Sequence, residues 1–287
     1  MFPLHDENPT RHRAWLTLAL IAANIAVFVL VQPRADTGDG IEFSFHYAAI
    51  PCEIVEGRPL TTAEVQATLD GDGSACDRSI DEAGADAVFD DKRPWLAILT
   101  SMFLHGGWFH LLFNMRFLWI FGNNVEDHLG KIRYLLFYLA GGVVATLAHV
   151  AIGPDSTVPI VGASGAIAAV MGAYLVWFPD ARVRTLVFVF LVFFVEIAAK
   201  WLLLAWLVSQ FFINDSGIAW MAHVGGFVFG ALIGLLIREF VAARHTMWTR
   251  EYQGDDHGFW DNRHGGRIDD PTPPYGLKLP PYDGPVR

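Results

Sequence analysis

Charged residues are scarce in this chain, and their scarcity excludes an ordinary soluble domain. Asp, Glu, Lys and Arg make up 17% of the 287 residues, whereas 53% are hydrophobic. Internal repeats are also lacking, which argues against the inverted-repeat transporters. The sequence has neither a set of metal ligands nor a phosphate-binding loop, so we expect no metal ion and no other cofactor. The apolar residues come in long runs, a pattern typical of a polytopic membrane protein.

Six apolar runs predict six membrane-spanning helices. A helix needs about 20 apolar residues to cross the hydrocarbon core of a bilayer. Glu196 and Lys200 interrupt the fifth run. Its span is therefore predicted to begin near them, and residues 182–195 are predicted to form a loop or an interfacial segment. We expect an all-α fold, a bundle of six transmembrane helices. The six runs cover residues 14–31, 108–121, 134–152, 159–178, 186–213 and 218–237.

Basic residues assign the N-terminus to the cytoplasm. Arg11 and Arg13 precede the first run, and Lys and Arg concentrate on the cytoplasmic side of membrane proteins. The short outer connections 153–158 and 214–217 contain neither. The first run lacks a small-x-small cleavage site before the polar loop, so we interpret it as a signal anchor. We expect a multi-pass protein of the plasma (inner) membrane with both termini cytoplasmic. With six spans, three further basic pairs fall inside: Lys131/Arg133, Arg182/Arg184 and Arg238/Arg244.

Composition divides the chain into three parts. Residues 1–13 are predicted to be a cytoplasmic N-terminus, and residues 14–244 the membrane domain. Residues 245–287 are rich in Pro, Gly, Asp and His. They cannot bury enough apolar surface to fold, and they are predicted to be a disordered cytoplasmic tail. Within the membrane domain, residues 33–94 form an outer loop with an acidic insertion, whose charge disfavours binding to nucleic acid.

The two cysteines, Cys52 and Cys76, both lie in this outer loop. An even number of cysteines in an oxidising compartment is compatible with one disulfide. Two unpaired thiols are also compatible with the sequence, because the sequence does not give their separation in space. We expect the disulfide.

Ser164 and His223 are polar residues inside apolar runs. In a bilayer, a hydroxyl and an imidazole cost free energy unless they pair or face water, so such residues are typically functional. Each follows a short outer connection and so lies on the order of 10 Å below the outer end of its span. A nucleophile and a base at similar depth predict a serine hydrolase inside the membrane. Asp215 is predicted to be a solvated loop residue rather than a third catalytic member.

The small residues around the pair are compatible with this chemistry. Four glycines lie close to Ser164 and His223 in the sequence: Gly162, Gly165, Gly226 and Gly230. Small residues let membrane helices pack backbone to backbone, which would bring the imidazole to the hydroxyl. Glycines that only pack helices would give the same pattern. A serine at a helix N-terminus would also have free backbone N–H groups and the helix dipole to stabilise an oxyanion.

Side chains at the outer end of the second span would add hydrogen-bond donors. His110 and Asn114 are four residues apart and therefore share one helical face. They belong to the same side of the membrane as Ser164, so we predict that they stabilise the oxyanion. Near the other end of this span, Glu126 is predicted to accept backbone hydrogen bonds in a structural role. The sequence suggests no clear role for Arg116.

Five motifs make the chain similar to a known family. It resembles the rhomboid intramembrane serine proteases, with the motifs in family order over residues 95–238. They are Thr100-Ser101-Met102-Phe103-Leu104-His105-Gly106-Gly107, His110-x-x-x-Asn114, Gly122-x-x-x-Glu126, Gly162-Ala163-Ser164-Gly165 and Ala222-His223-x-Gly225-Gly226.

The resemblance implies a six-helix bundle with a Ser164–His223 dyad and no acidic third member. It implies oxyanion donors at His110, Asn114 and the Ser164 amide, water access from the outer face, and lateral access of a substrate helix past the fifth span. Two features depart from the family pattern. Many members have an aromatic residue four positions after the serine, where this chain has Ala168, and the acidic insertion replaces a Trp-Arg element.

The leading hypothesis is therefore a protease that acts on single-span membrane proteins in the lipid bilayer. A non-catalytic rhomboid-like chaperone or scaffold is the alternative, and the retained Ser164 and His223 argue against it. A small polytopic transporter is a third reading. The lack of repeats and of paired intramembrane carboxylates argues against that one.

Overall fold

The computed structural model describes residues 2–77, 86–188, 192–212 and 219–254. Its contacts divide the chain into two units, Met1–Arg238 and Glu239–Arg287. Helices dominate the described residues. In chain order they are α1 (Trp15–Ala26, continued by a π-helical turn at Val27–Val31), α2 (Gly38–Tyr47), α3 (Pro51–Glu56), α4 (Thr62–Leu69), α5 (Pro94–Ser101), α6 (Trp108–Leu129), α7 (Lys131–Ile152), α8 (Ser164–Trp177), α9 (Ala199–Gln210) and α10 (Trp220–Gly254).

Two helices of the described residues are long and apolar enough to cross a membrane. They are α7 and the Trp220–Ile237 part of α10, and two shorter apolar helices are Trp15–Val31 and Ser164–Trp177. Helix α6 has 22 residues, but polar side chains such as Asn114 and Arg116 lower its hydropathy. Helix α9 has only 12 residues. The structure is thus mostly helical, and the count of six spans stays a prediction.

Helix α8 forms the centre of the core. Residues 165–174 are buried without interruption, because α6, α7, α9 and α10 surround this helix. Small residues make the approach of α10 very close. A Cβ atom added at Gly230 would lie 1.8 Å from the carbonyl oxygen of Ala169, and one added at Gly226 would lie 2.2 Å from that of Gly165. Only glycine permits backbones this near each other, as in other tightly packed membrane helices.

A three-stranded antiparallel sheet corrects the all-α expectation. The strands are β1 (Phe2–Asp6), β2 (Arg182–Phe188) and β3 (Val192–Ala198), in the order β1-β2-β3. In register, Asp6 faces Val183, and Arg182 faces Ala198. Residues 182–188 and 192–195 are therefore strand rather than a loop. The reason is composition, since β-branched and aromatic residues dominate this segment and favour extended backbone.

Polar contacts fasten strand β1 to the helices. The buried Asp6 carboxylate accepts hydrogen bonds from Asn124 Nδ2 at 2.7 Å and from the Tyr174 hydroxyl at 2.8 Å. Burial raises the pKa of Asp6 to about 6, although these hydrogen bonds oppose the rise. Arg116 Nε donates to the Pro3 carbonyl at 3.2 Å. Arg116 therefore has a structural contact that the sequence did not indicate, between α6 and β1.

Glu126 caps the N-terminus of α1. Its carboxylate accepts from the backbone N–H groups of Leu16 at 3.0 Å and Thr17 at 2.7 Å, and from the Thr17 hydroxyl at 2.8 Å. A carboxylate there satisfies N–H groups that the first helical turn leaves unpaired, and it complements the helix dipole. The predicted structural role is confirmed, with a helix rather than a turn as the donor.

The outer loop folds around a disulfide and a buried ion pair. Cys52 and Cys76 are bonded, with Cα atoms 5.8 Å apart. Arg58 donates to both carboxylate oxygens of Glu64, at 2.9 and 2.8 Å. Burial raises the pKa of Glu64, but hydrogen bonds from Arg58 and from the backbone of Thr61 and Asp77 outweigh it and lower the pKa to about 2. The described parts of the outer loop, residues 33–77 and 86–94, are therefore ordered.

The start of the predicted tail is also corrected. Helix α10 continues to Gly254, so the first ten residues of the predicted tail, 245–254, are helical. Residues 239–253 contain neither proline nor glycine, so the sequence provides no helix stop before Gly254. Residues 255–287 of the predicted tail lie outside the described residues.

Candidate active site

Ser164 and His223 are hydrogen-bonded to each other. Ser164 is the first residue of α8, and His223 lies in the first turn of α10. The distance from His223 Nε2 to Ser164 Oγ is 2.8 Å. Both residues are partly exposed, so a reacting group could reach the hydroxyl. This geometry is that of a nucleophile and its general base.

The second ring nitrogen of His223 contacts a residue that the sequence analysis missed. Gln210, the last residue of α9, places Oε1 at 2.6 Å from His223 Nδ1. Its side chain is buried, with 3% of the residue exposed. The sequence does show an amide at the end of an apolar helix. Gln210 and His223 are 13 residues apart and in different helices, however, so no helical spacing indicates their contact. Asp215, considered above as a third member, lies outside the described residues.

An aromatic side chain from α9 also lies beside the imidazole. The ring centroids of Trp206 and His223 are 5.7 Å apart. Ala168, which stands where many family members have an aromatic residue, is fully buried in α8. The contact of an aromatic ring with the imidazole is thus made from α9 in this chain.

His110 lies against Gly162, directly before α8. The Gly106 backbone N–H donates to His110 Nδ1 at 3.3 Å, so the proton of the neutral ring is on Nε2. A Cβ atom at Gly162 would lie 2.8 Å from His110 Nε2 and 3.5 Å from Ser164 Oγ. The Nε2–H group and the hydroxyl therefore border the same small space.

The structure changes the role predicted for Gly162. We expected it to pack helices, but it precedes α8 and has φ +126°, in the region that favours glycine. Its N–H donates to the Ser101 carbonyl at 2.9 Å, which joins this connection to the end of α5. Gly162 thus keeps space open beside Ser164, whereas Gly165 lies in α8 close to Ala145 of α7.

Asn114 lies one turn below His110 on α6. It is buried, and its Nδ2 donates to the His110 carbonyl at 2.9 Å. This bond uses one of the two N–H groups of the amide. The first backbone N–H groups of α8 have no partner within the helix and carry the positive end of its dipole. The contact of Asn114 is thus made within α6, whereas the imidazole of His110 lies next to Gly162 and the Ser164 hydroxyl.

One group of potential metal ligands occurs in the described residues, away from this site. The ligand atoms of Cys52, Cys76 and Glu64 lie within 4.8 Å of one another. The two sulfur atoms are bonded to each other, and the carboxylate is paired with Arg58. These atoms are therefore occupied by the fold of the insertion, and we assign no metal to them.

Comparison with known proteins agrees with the motifs. A family model described as the Rhomboid domain matches residues 92–240, just over half of the chain. The chain belongs to the rhomboid family. The resemblance inferred from the motifs is thereby confirmed, and this rhomboid is a membrane protein.

Several rhomboid relatives have similar sequences. YdcA of Bacillus subtilis is 35% identical over 50% of this chain and 67% of its own length. The rhomboid protease GluP of Bacillus subtilis is 43% identical over 28% of this chain and 15% of its own length. RHOMBOID-like protein 6, mitochondrial, of Arabidopsis thaliana is 26% identical over 79% of this chain and 70% of its own length.

Proposed function

We propose that this rhomboid is an intramembrane serine protease that hydrolyses peptide bonds in or near the transmembrane segments of single-span membrane proteins. The observation that carries the proposal is the 2.8 Å contact between His223 Nε2 and Ser164 Oγ at the N-terminus of α8. The protease name of a relative such as GluP supports the same reading.

Acylation follows from this contact. His223 Nε2 takes the proton of the Ser164 hydroxyl while Oγ attacks the carbonyl carbon of the scissile peptide bond. The imidazolium then gives that proton to the leaving amine, and the C–N bond breaks. The products of this half-reaction are an acyl ester on Ser164 and the free amine of the C-terminal fragment.

Stabilisation of the oxyanion falls to groups around Ser164. The His110 Nε2–H lies beside Gly162 and is one proposed donor. The backbone N–H groups at the start of α8, which have no partner within the helix, are further proposed donors. Asn114 adds the amide hydrogen that its bond to the His110 carbonyl leaves over. Fixed donors of this kind stabilise negative charge most where bulk water is excluded.

Deacylation repeats the chemistry with water as the nucleophile. His223 takes one proton from the water, the hydroxide oxygen attacks the ester carbonyl, and the proton returns to Ser164 Oγ as the ester bond breaks. The products are a carboxylic acid and the free enzyme. No step uses a metal ion or another cofactor.

The proposed setting is a six-span bundle in the plasma membrane with cytoplasmic termini. Strand β1 pairs with β2, so the N-terminal strand and the α8–α9 connection lie together. This pairing supports a topology in which both are on the cytoplasmic side. Some relatives, such as RHOMBOID-like protein 6, are named mitochondrial. Fractionation of the native cells with an antibody to the protein tests the membrane.

The test of the function uses the purified, detergent-solubilised protein. A fluorophosphonate probe should label wild type, and Ser164→Ala should abolish both labelling and cleavage of a panel of single-span substrates. His223→Ala should abolish cleavage too, and the double variant should be no worse than either single variant, because a dyad acts as one unit.

Matched controls test whether any serine or histidine change would have the same effect. Ser44→Ala removes a hydroxyl that donates to the Gly40 carbonyl in the outer loop, and His12→Ala removes an exposed ring. Both should keep normal cleavage. Continued proteolysis by Ser164→Ala would disprove the assignment, and a wild type that neither reacts nor cleaves would favour the non-catalytic scaffold.

A further inference from the structure

The partner of His223 Nδ1 is a neutral amide, and the contacts of that amide fix which of its atoms faces the ring. Gln210 Nε2 donates to the Trp206 carbonyl at 3.0 Å and to Ser209 Oγ at 3.2 Å. A carbonyl oxygen can only accept, so the NH₂ group must point toward it. The Oε1 atom is therefore the one that lies 2.6 Å from His223 Nδ1.

This arrangement selects one tautomer of the imidazole. An amide oxygen has no hydrogen to donate, so Nδ1 must carry the proton and donate it. In the neutral ring, Nε2 is then unprotonated, and its lone pair faces the Ser164 hydroxyl at 2.8 Å. The opposite tautomer would put two lone pairs together at Gln210 and a proton between Nε2 and the hydroxyl.

We propose that Gln210 is a positioning residue, which holds His223 in the tautomer and orientation that make Nε2 the general base for Ser164. The proposal rests on the proposed protease function for its catalytic consequence. The hydrogen-bonding role at His223 is independent of that function. The hydrogen bonds of Gln210 go to Trp206, Ser209 and His223 and not to the Ser164 hydroxyl, so it acts on Ser164 through the imidazole.

The position of Gln210 suits this role. It is buried at the C-terminus of α9, where water is not available to replace its oxygen. Trp206, one turn earlier on α9, lies beside the same imidazole. Helix α9 thus contacts the His223 imidazole of α10 twice, through Gln210 at Nδ1 and through the ring of Trp206. Ala168, four residues after Ser164 on α8, has no polar side-chain atom with which to orient the ring.

The hydrogen bond between His223 Nδ1 and Gln210 Oε1 should be stronger during the reaction than in the resting enzyme. When His223 takes the serine proton, the ring becomes positively charged, and a hydrogen bond to a charged group is stronger than one between neutral groups. Its loss should lower kcat by about 10- to 100-fold. In this proposal the buried Gln210 acts on the imidazole and not on the substrate, so KM should change little.

Two substitutions with side chains of similar length distinguish a positioning role of Gln210 from a packing role. Gln210→Met fills the same space without an acceptor. Gln210→Glu keeps an acceptor in either protonation state, and in its protonated form the hydroxyl can donate to the Trp206 carbonyl as the amide does. We expect Gln210→Met to show this loss of kcat, of about 10- to 100-fold. Gln210→Glu should have a kcat much closer to that of wild type. Val208→Ala changes an exposed residue of the same helix and should behave as wild type.

A spectroscopic measurement tests the role without turnover. Protein labelled with ¹⁵N-histidine in the Ser164→Ala background should give the shifts of an Nδ1-protonated ring for His223, assigned by their loss in His223→Ala. Adding Gln210→Met should move these shifts toward the averaged or the Nε2-protonated form. Failure of wild type to react with a fluorophosphonate would refute the protease proposal and leave this measurement decisive.

Three results would overturn the inference. One is an unchanged tautomer when Gln210→Met is added to Ser164→Ala. Another is kcat within about two-fold of wild type in Gln210→Met of an active enzyme. The third is an equal loss in Gln210→Met and Gln210→Glu together with a lowered unfolding temperature, which would assign Gln210 to packing.

Discussion

Replacing Gly162 by alanine should impair catalysis more than it impairs folding. The new Cβ atom would lie 2.8 Å from both Cε1 and Nε2 of His110, closer than carbon and nitrogen atoms approach without a bond. The backbone at Gly162 has φ +126°, which a residue with a side chain rarely adopts. The substitution therefore adds strain and a collision at one point of the site.

The two effects have different sizes. A non-glycine residue in such a conformation costs about 1–3 kcal/mol of folding free energy. The collision is relieved if the imidazole of His110 moves, because a side chain yields more easily than backbone. That movement takes the Nε2–H away from the space beside Ser164. A displacement of about 1 Å can cost on the order of 100-fold in rate, as can the loss of one oxyanion donor.

The assay is turnover of a cleaved single-span substrate, with thermal unfolding of the same preparation. We expect kcat to fall by about 100-fold, with a change in KM of less than about two-fold because the donor acts in the transition state. Gly153→Ala is the matched control, since Gly153 has φ −129° and the nearest atom, Ser156 Cβ, lies 3.9 Å from the added Cβ. Near-normal kcat in Gly162→Ala would refute the reasoning, even if the variant were less stable.

Three further predictions concern other parts of the structure. Asn114→Ala should lower kcat by about 10²–10³-fold with only about 0.6 kcal/mol lost in unfolding; the reverse pattern would assign Asn114 to packing. Cys52 and Cys76 should resist maleimide until reduced, and replacing both with serine should cost about 3 kcal/mol because the bond closes a loop of 24 residues. The pKa of Asp6 is about 6, above its ordinary value. The native state therefore holds the proton more tightly, and wild type should lose about 2 kcal/mol of stability as the pH rises from 4 to 6. This loss should be absent from Asp6→Asn in pH-dependent unfolding.

Much of the helical fold could be predicted because a bilayer restricts the sequence. The runs 108–121, 134–152, 159–178 and 218–237 coincide with α6, α7, α8 and the first part of α10. At these positions the length of the apolar run was sufficient to predict a helix. It was insufficient for residues 182–188 and 192–195, where the same apolar composition forms strands. Short apolar runs do not distinguish helix from strand. One of the two pairing partners of β2, strand β1, is at the N-terminus, far away in the sequence.

The proximity of Ser164 and His223 could be expected from their equal depth and their small neighbours. Gln210 could not, because its contact depends on where the C-terminus of α9 meets the first turn of α10. That geometry is set by the connection between the two helices rather than by a periodic pattern. Gly162 shows the same limit. The motif identified a glycine beside the serine, but only the fold shows that His110 fills the position where a side chain would be.

The outer insertion also bears on the site, through the connection that leads to Ser164. The backbone of this connection makes hydrogen bonds with the insertion at three points: Ile160 N to Ala49 O at 2.8 Å, Cys52 N to Ser156 O at 2.9 Å and Thr157 N to Gly73 O at 2.9 Å. A fourth bond, from Gly162 N to Ser101 O, follows two residues before the nucleophile. The disulfide joins two of the insertion segments involved, one at Cys52 and one near Gly73. A chain segment fixed at four successive points has little freedom at its end. Loss of the disulfide should therefore loosen the start of α8 as well as the insertion. The variant with serine at both Cys52 and Cys76 should lose turnover as well as stability.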